Sequence, residues 1–332
     1  MTKWDELADV VLEGREIGDA EALSILNCPD EELLTLLNAA YKIRHHYYGN
    51  KVKLNMIINT KSGICPENCG YCSQSTRSTA PIEKYRMMDK DSILKGAKQA
   101  YDLRAGTYCI VASGRGPSDK ELENVTEAVK EIKDKYQLKI CACLGLLKPG
   151  QAEKLKEAGV DRYNHNINTS ANHHEQITTT HTYDDRVETI EKVKVQGISP
   201  CSGVIVGMKE RKEDIVTMAR SLKALDADSI PVNFLHAIDG TPLEGTDELN
   251  PRYCLKVLCL FRFINPTKEI RISGGREVNL GSLQPLGLYA ANSIFVGDYL
   301  TTAGQETTAD HRMIEEMGFE VEFADEKQEQ LV

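Results

Sequence analysis

No stretch of this 332-residue chain approaches the roughly 20 consecutive apolar residues that a membrane-spanning helix needs. Residues Met1 to Asp19 alternate acids with apolar positions and lack the basic start and apolar run of a secretory signal. A cytoplasmic location is therefore expected. An excess of positive charge is missing too. The formal net charge is -10, which argues against a general polyanion binder, since phosphate neutralisation needs a Lys/Arg excess. Neither nucleic acid nor a membrane is expected as a partner. Low-complexity linkers are absent, as are the GxGxxG and GKS patterns. The glycine-rich segment Ser113-Gly114-Arg115-Gly116-Pro117 lacks their spacing and reads as part of a site's rim. In a reducing cytosol the ten cysteines are not expected to pair as disulfides. They remain either buried apolar thiols or metal ligands. Against these absences stands a hydrophobic content of 41%, enough for a sizeable core in one large domain or two small ones.

The first fifty residues read as helices. Apolar residues recur at helical spacing in Leu33, Leu34, Leu37, Ala40 and Tyr41, and Pro29-Asp30-Glu31-Glu32 resembles a helix start. From about residue 52, short apolar runs alternate with helical stretches. Strands are expected at 52–58, 107–113, 139–144, 161–166, 200–206, 229–235, 269–273 and 293–297. Helices are expected near 89–104, 119–136, 150–158, 183–196, 212–225, 251–263 and 281–291. Gly106, Gly159 and Gly197 stand just before strands, where helix ends want glycine. Eight strands alternating with helices over this span predict an α/β fold, a (β/α)8 TIM-type barrel with an N-terminal helical extension. A doubly wound open sheet is the alternative, but it usually carries a glycine-rich first turn. The expected division is a helical segment over 1–50, the barrel over 51–304 and a C-terminal tail over 305–332 packing on or near the barrel.

After the first strand, Cys65, Cys69 and Cys72 fall within eight residues, separated by the structure-breaking Pro66, Asn68 and Gly70. Three thiolates on one loop suit three irons of a cubane and leave the fourth open, where four would close it. A zinc knuckle is the plainer reading, but structural zinc normally takes four ligands. The nearest histidines, His45 and His46, fall on a predicted helix. The adjacent pair His173-His174 reads as loop residues, since neighbours do not face one metal from a helix.

Strand side chains alternate between faces. If the apolar parity points at the helices, the other parity points into the barrel. By that rule Cys109, Cys141, Cys143, Cys201, Gly203, Asn164, Asn166, Asn168, Asn233, Arg271 and Ser273 face inward. A purely structural barrel would place Val, Ile and Leu there. So many buried polar groups need a ligand to satisfy them, and Arg271, which cannot shed its charge, needs a counter-charge, which an anionic thiolate-bound cluster would provide. Cys28, Cys254 and Cys259 read as small buried hydrophobes.

The Cys65-x-x-x-Cys69-x-x-Cys72 loop, with Tyr71 before the last cysteine and Ser73 after it, resembles the signature of radical S-adenosylmethionine (SAM) enzymes. The segments YCSQS (71–75), YNHNINTS (163–170), TYDDRVETI (182–190), CSGVIVG (201–207), VNFLHAIDGTPL (232–243), RISGGRE (271–277) and ANSIFVGDYLTT (291–302) look like the biotin synthase family. The resemblance runs from about residue 50 to 302. It implies a [4Fe–4S] cluster on Cys65, Cys69 and Cys72, whose open iron SAM chelates, giving a 5′-deoxyadenosyl radical. It further implies a [2Fe–2S] cluster on Cys109, Cys141, Cys201 and Arg271. Cys141 is preferred to Cys143 because the family's ligand stands three residues before Leu-Gly. Tyr71, Asn166, Asn168 and Arg186 match SAM-contacting positions, and Asn166 and Asn233 match positions near a ureido ring. Asparagine suits a neutral urea, being donor and acceptor at once. Some family members carry aspartate where this chain has Asn168. The implied activity is sulfur insertion into dethiobiotin to make biotin, with hydrogen abstraction in two rounds and sulfur from the internal cluster. The implied partners are a flavodoxin- or ferredoxin-like reductant and a second copy of the chain in a homodimer. The rivals are another radical SAM enzyme of maturase type on the same barrel, and an iron–sulfur electron-transfer protein.

Overall fold

The structure is a computed structural model, and it describes residues 2–323. Ten parallel strands run β1 (Lys51–Lys61), β2 (Thr107–Ala112), β3 (Lys139–Cys143), β4 (Arg162–Asn164), β5 (Ser199–Cys201), β6 (Val204–Val206), β7 (Ser229–Phe234), β8 (Glu269–Ile272), β9 (Ser293–Val296) and β10 (Glu320–Glu322). Strands β1 to β5 pair in sequence order, β5 and β6 both pair with β7, β8 and β9 follow, and β1 pairs with β9, which closes the barrel. β5 and β6 together form one broken stave, so eight staves enclose the interior. β10 adds outside the closure, pairing with the first three residues of β1.

The apolar parity does face the helices. Tyr108 and Ile110 of β2, Ile140 and Ala142 of β3, Val204 and Val206 of β6, and Ile270 and Ile272 of β8 belong to the main core with the helix residues. Cys109, Cys141 and Cys201 form a separate buried cluster inside. The helices start where the local chemistry directs. Ser118 and Thr182 each cap the helices Asp119–Lys135 and Tyr183–Val195 in reciprocal capping boxes, and Asp89 caps Lys90–Asp102. Gly159 and Gly197 take the left-handed conformation expected of them. Before β2 that conformation falls on Arg104 rather than Gly106.

Four expectations need correction. The 200–206 strand is interrupted at Ser202-Gly203, where the backbone passes so close to Pro231 that only glycine fits and the Gly203 N–H turns to Asn166 Oδ1, 3.0 Å away. The 161–166 strand ends at Asn164, since the chain bends toward Asn168, which takes a left-handed φ of 65°. The 281–291 helix is instead a short helix, Arg276–Leu280, followed by a 3-10 turn, Gly281–Tyr289, which contains Pro285. Leu34 does not join the apolar face; it is 70% exposed, while Leu33, Leu36 and Leu37 of the same helix are buried.

The N-terminal helices Asp19–Leu26 and Leu33–Tyr48 cover the helix Pro251–Ile264, and Lys3–Leu12 packs on Leu33–Tyr48. That helix is buried on every side from Cys254 to Ile264, as its near-continuous apolar sequence requires. Cys28, Cys254 and Cys259 lie in this apolar layer. At the C-terminal end, the helix Thr307–Glu316 and β10 pack back on the barrel, with Met313, Ile314 and Phe319 buried. The last part of the tail, 324–332, lies outside the described residues. Among the described residues no helix is long and apolar enough to cross a membrane.

Candidate active site

One cavity of about 400 Å³ opens at the end of the barrel where the parallel strands finish. Its lining takes in Cys65, Cys69, Tyr71 and Cys72 from the loop after β1, Cys109, Cys141 and Cys143 from β2 and β3, and Asn166, Asn168 and Arg186. From the far side come Asn233 and Arg271. Cys201 lies just behind this surface, fully buried. The candidate residues of the two thiol sets thus share one enclosed space, although they are spread over more than 200 residues of sequence.

The cysteine loop is held by its own backbone and by the segment 177–181. Gly70 N–H donates to the Ile177 carbonyl at 2.9 Å, and the Asn68 side chain bonds Thr178, Thr179 and Thr180. The backbone amides of Glu67 and Gly114 face the Cys65 sulfur, and those of Gln74 and Ser75 face Cys72. Burial pushes the Cys65 thiol up and that of Cys72 up to about 12, despite those amides. These thiols stay protonated until a positive centre replaces the proton, and the amides then solvate the thiolate sulfurs. Among the described residues no three His, Cys, Asp or Glu side chains converge on one metal ion. A cubane does not call for such a point, since each thiolate takes a different iron.

Deeper in the barrel, Cys109 stands directly beside Cys141 in the β2–β3 register, and Asn164 beside Cys201 in β4–β5. The Cys141 thiol lies within hydrogen-bonding reach of both Cys109 and Cys201. Contact with Cys109 and burial drive Cys141 well above the ordinary thiol range, and contact with Cys141 and burial do the same to Cys201. Asn164 donates to the Cys201 sulfur at 3.3 Å and accepts from the Cys143 thiol at 3.2 Å.

Arg271 points inward, and a carboxylate of the chain itself already supplies it with a counter-charge, besides the anionic cluster that the sequence led us to expect. Its Nη2 donates to Glu269 at 2.6 Å and to Ser229 at 2.8 Å, and its Nε to Ser293 at 3.2 Å. Nη1 is left facing Cys201 Sγ at 4.0 Å. Glu269 also receives Arg162 at 2.8 Å and Lys53 at 3.5 Å. Burial alone would raise this carboxyl, but the three cations outweigh it and hold Glu269 well below the usual carboxylate range. Glu269, Arg162, Ser229 and Ser293 went unread in the sequence. Glu269 precedes Arg271 by two positions and Arg162 precedes Asn164 by two, so the strand alternation that marked one residue of each pair marks the other.

Toward the mouth, Arg186 donates to the Asn166 carbonyl at 2.8 Å. With its amide oxygen turned to the donors around it, Asn168 accepts from Tyr71 Oη at 2.7 Å and from Arg186 Nη2 at 3.1 Å. Tyr71 also reaches Cys69. Asn233 bonds the Val204 carbonyl and the Gly274 N–H. Of the histidine pair, His173 and His174 bond the carbonyls of Met208 and His181. Ser113 and Arg115 do form part of the cavity's rim.

The residues fit the implied groups. Ser113 Oγ and His165 Nε2 line the cavity as buried polar atoms without a protein partner, as a polar cofactor would require. The deep set offers three thiols and one guanidinium nitrogen on the inner faces of the staves.

Residues 59–222 match the Radical SAM superfamily, and residues 231–320 match the Biotin and Thiamin Synthesis associated domain. The chain is 74% identical over 324 residues to a biotin synthase of Geobacillus kaustophilus, covering 98% of this chain and 97% of that one. It is 72% identical over 326 residues to a biotin synthase of Bacillus subtilis, with coverage of 98% and 97%. The chain belongs to the biotin synthase family. As a biotin synthase family member it is a radical SAM sulfurtransferase of biotin synthesis, using a [4Fe–4S] cluster, SAM and a [2Fe–2S] cluster. The fold is shared with methylornithine synthase (TM-score 0.84, 24% identity, covering 95% and 97% of the two chains). It is also shared with the FeFe-hydrogenase maturase of Carboxydothermus hydrogenoformans (TM-score 0.81, 16% identity, covering 97% and 80%). The maturase reading of the sequence thus extends to the barrel, not to the family.

Proposed function

We propose that the two thiol sets divide one reaction, with Cys65, Cys69 and Cys72 holding the [4Fe–4S] cluster and Cys109, Cys141, Cys201 and Arg271 holding the [2Fe–2S] cluster. The observation that carries this reading is the single cavity lined by Cys65, Cys69 and Cys72 and by Cys109, Cys141 and Arg271, with Cys201 just behind it and the asparagine-rich staves between. When bound, the first cluster supplies the electron that cleaves SAM, and the second supplies the sulfur. The protein's own residues do the placing. Arg186, Asn166 and Asn168, with Tyr71 behind them, form a hydrogen-bonding wall for SAM beside the loop. Asn166 and Asn233 line the cavity between the two sets, and amides there suit the neutral ureido ring of dethiobiotin. Arg271, gripped by Glu269, Ser229 and Ser293, keeps one nitrogen directed at the deep thiols. Burial of Cys141 and Cys201, 1% and 0% exposed, excludes water from the site of sulfur transfer. A reducing protein of flavodoxin or ferredoxin type, a homodimer and a cytoplasmic location complete the proposal.

Anaerobic turnover with SAM, a reductant and dethiobiotin tests it. The expected products are 5′-deoxyadenosine and biotin. Cys72→Ala should abolish both. Cys201→Ala should keep deoxyadenosine formation, lose biotin, and retain about two fewer irons per chain. Unchanged biotin yield from Cys201→Ala would remove the deep set from the reaction.

A further inference from the structure

Between the cysteine loop and Arg186 stands a residue outside the quoted family motifs, His181. Its side chain is 5% exposed. Nδ1 lies 2.5 Å from Glu67 Oε2, and Nε2 lies 2.9 Å from Arg186 Nε and 2.6 Å from Arg186 Nη2. A guanidinium offers only donors. The Nε2 atom must therefore carry the lone pair, and the single ring proton must sit on Nδ1, where it points at a carboxylate. The neighbours fix the tautomer. Glu67 sits between Cys65 and Cys69, and its other contacts are Thr180 Oγ1 at 2.5 Å and Arg115 Nη1 at 3.1 Å. One chain of bonds thus runs from the cysteine loop through Glu67 and His181 to Arg186, and from there to Asn166 and Asn168.

We propose that His181 is a positioning residue: held as the neutral Nδ1–H tautomer between Glu67 and Arg186, it aims the arginine fork at SAM and ties that fork to the cysteine loop. The proposal rests on the reading of Arg186 as a SAM contact. Protonating His181 would set an N–H against two guanidinium N–H groups and break the link from the Arg186 side. The charged and titratable groups around the ring are Glu67 on the loop, Arg186 and Asp185 on the following helix, Arg115 on the rim, His165 beyond the end of β4, and His174, whose ring lies 5.6 Å away. Burial, Arg186 and His174 oppose protonation, while Glu67 favours it. The linkage therefore holds at neutral pH and fails on the acid side.

The test is the SAM dissociation constant of the iron-loaded enzyme, measured by equilibrium binding against pH, with iron content and melting temperature recorded alongside. His181→Ala should weaken SAM binding about tenfold, as expected for loss of a hydrogen bond to a charged group, with iron content retained. His181→Gln keeps an acceptor and a donor at imidazole-like spacing but does not titrate. It should restore much of the affinity and lose the acid-side weakening of the unaltered enzyme. Identical pH profiles for the unaltered enzyme and His181→Gln would overturn the proposal, whether or not the alanine variant folds. Arg186→Ala separates the two readings. If it leaves SAM binding intact, the Arg186 assignment falls. If it weakens binding while His181→Ala does not, the assignment stands and the role of His181 falls.

Discussion

At the scale of single residues, the deep end of the barrel is organised by Glu269, a buried carboxylate serving three cations. Removing one member of a buried ion pair leaves uncompensated charge, at a cost of about 3–5 kcal/mol. Glu269→Gln should lower stability by that order in urea denaturation, and should reduce second-cluster iron by letting the Arg271 fork swing. SAM cleavage should survive, because the cysteine loop does not touch Glu269. Two buried histidines give a second prediction. His165 and His181 are both held below the ordinary 6.5, each chiefly by burial and then by Arg186. The folded state therefore disfavours their protonation, while the unfolded chain takes up protons near 6.5. Their contribution to stability is complete above that value and declines as pH falls below it. Denaturation midpoints measured at successively lower pH should fall through this window, and His181→Gln should flatten part of the slope.

At the scale of elements, the broken fifth stave aims the site. The interruption at Ser202-Gly203 lets Gly203 N–H reach the Asn166 side chain, while Asn168 N–H donates to the Gly203 carbonyl at 3.1 Å. Gly203→Ala pushes a methyl group at the Pro231 carbonyl and should cost about 1–3 kcal/mol. It should also raise the KM for dethiobiotin, since Asn166 loses its brace; a KM unchanged alongside a lower melting temperature would confine the effect to packing. This break marks a limit of reading strands from apolar runs. Cys201 to Val206 has the composition of one strand, and the break coincides with the close approach of Pro231, a residue from a different strand. The alternation rule worked where ladders were regular, placing Cys109, Cys141 and Arg271 on one inner wall. It covers Glu269 as well, two positions before Arg271, but a single acid at a strand's start looks like an exposed end until Arg162 and Lys53 close over it. His181 carried no periodic signal at all, since it stands on a loop and its partners come from another loop and from the helix that follows.

At the scale of the molecule, the N-terminal helices act as a lid for an otherwise insoluble surface. The helix Pro251–Ile264 is apolar on both sides because the barrel takes one and these helices the other. Arg44, from the helix Leu33–Tyr48, is fully buried and donates to the carbonyls of Gly49, Lys51 and Ala291. It pins this layer to the start of β1 and the approach to β9. A chain lacking residues 1–48 should expose that helix and aggregate on expression, which sedimentation of the truncated protein would check; a monodisperse, melting-competent truncation would refute it.

The pairing of β1 also bears on the order in which the molecule can be made. The strand that leads into the cysteine loop is among the first synthesised, yet its partners on one side, β9 and β10, are almost the last. Until residue 296 has emerged from the ribosome, β1 has one bare edge, the wall is open, and Cys109, Cys141 and Cys201 are accessible from the side. Once β9 docks, the lateral route shuts, and whatever reaches Cys201 must come through the mouth, past the cysteine loop. Loading of the inner metal group during synthesis and its renewal in a finished enzyme are therefore different physical problems, and only renewal must contend with a closed wall.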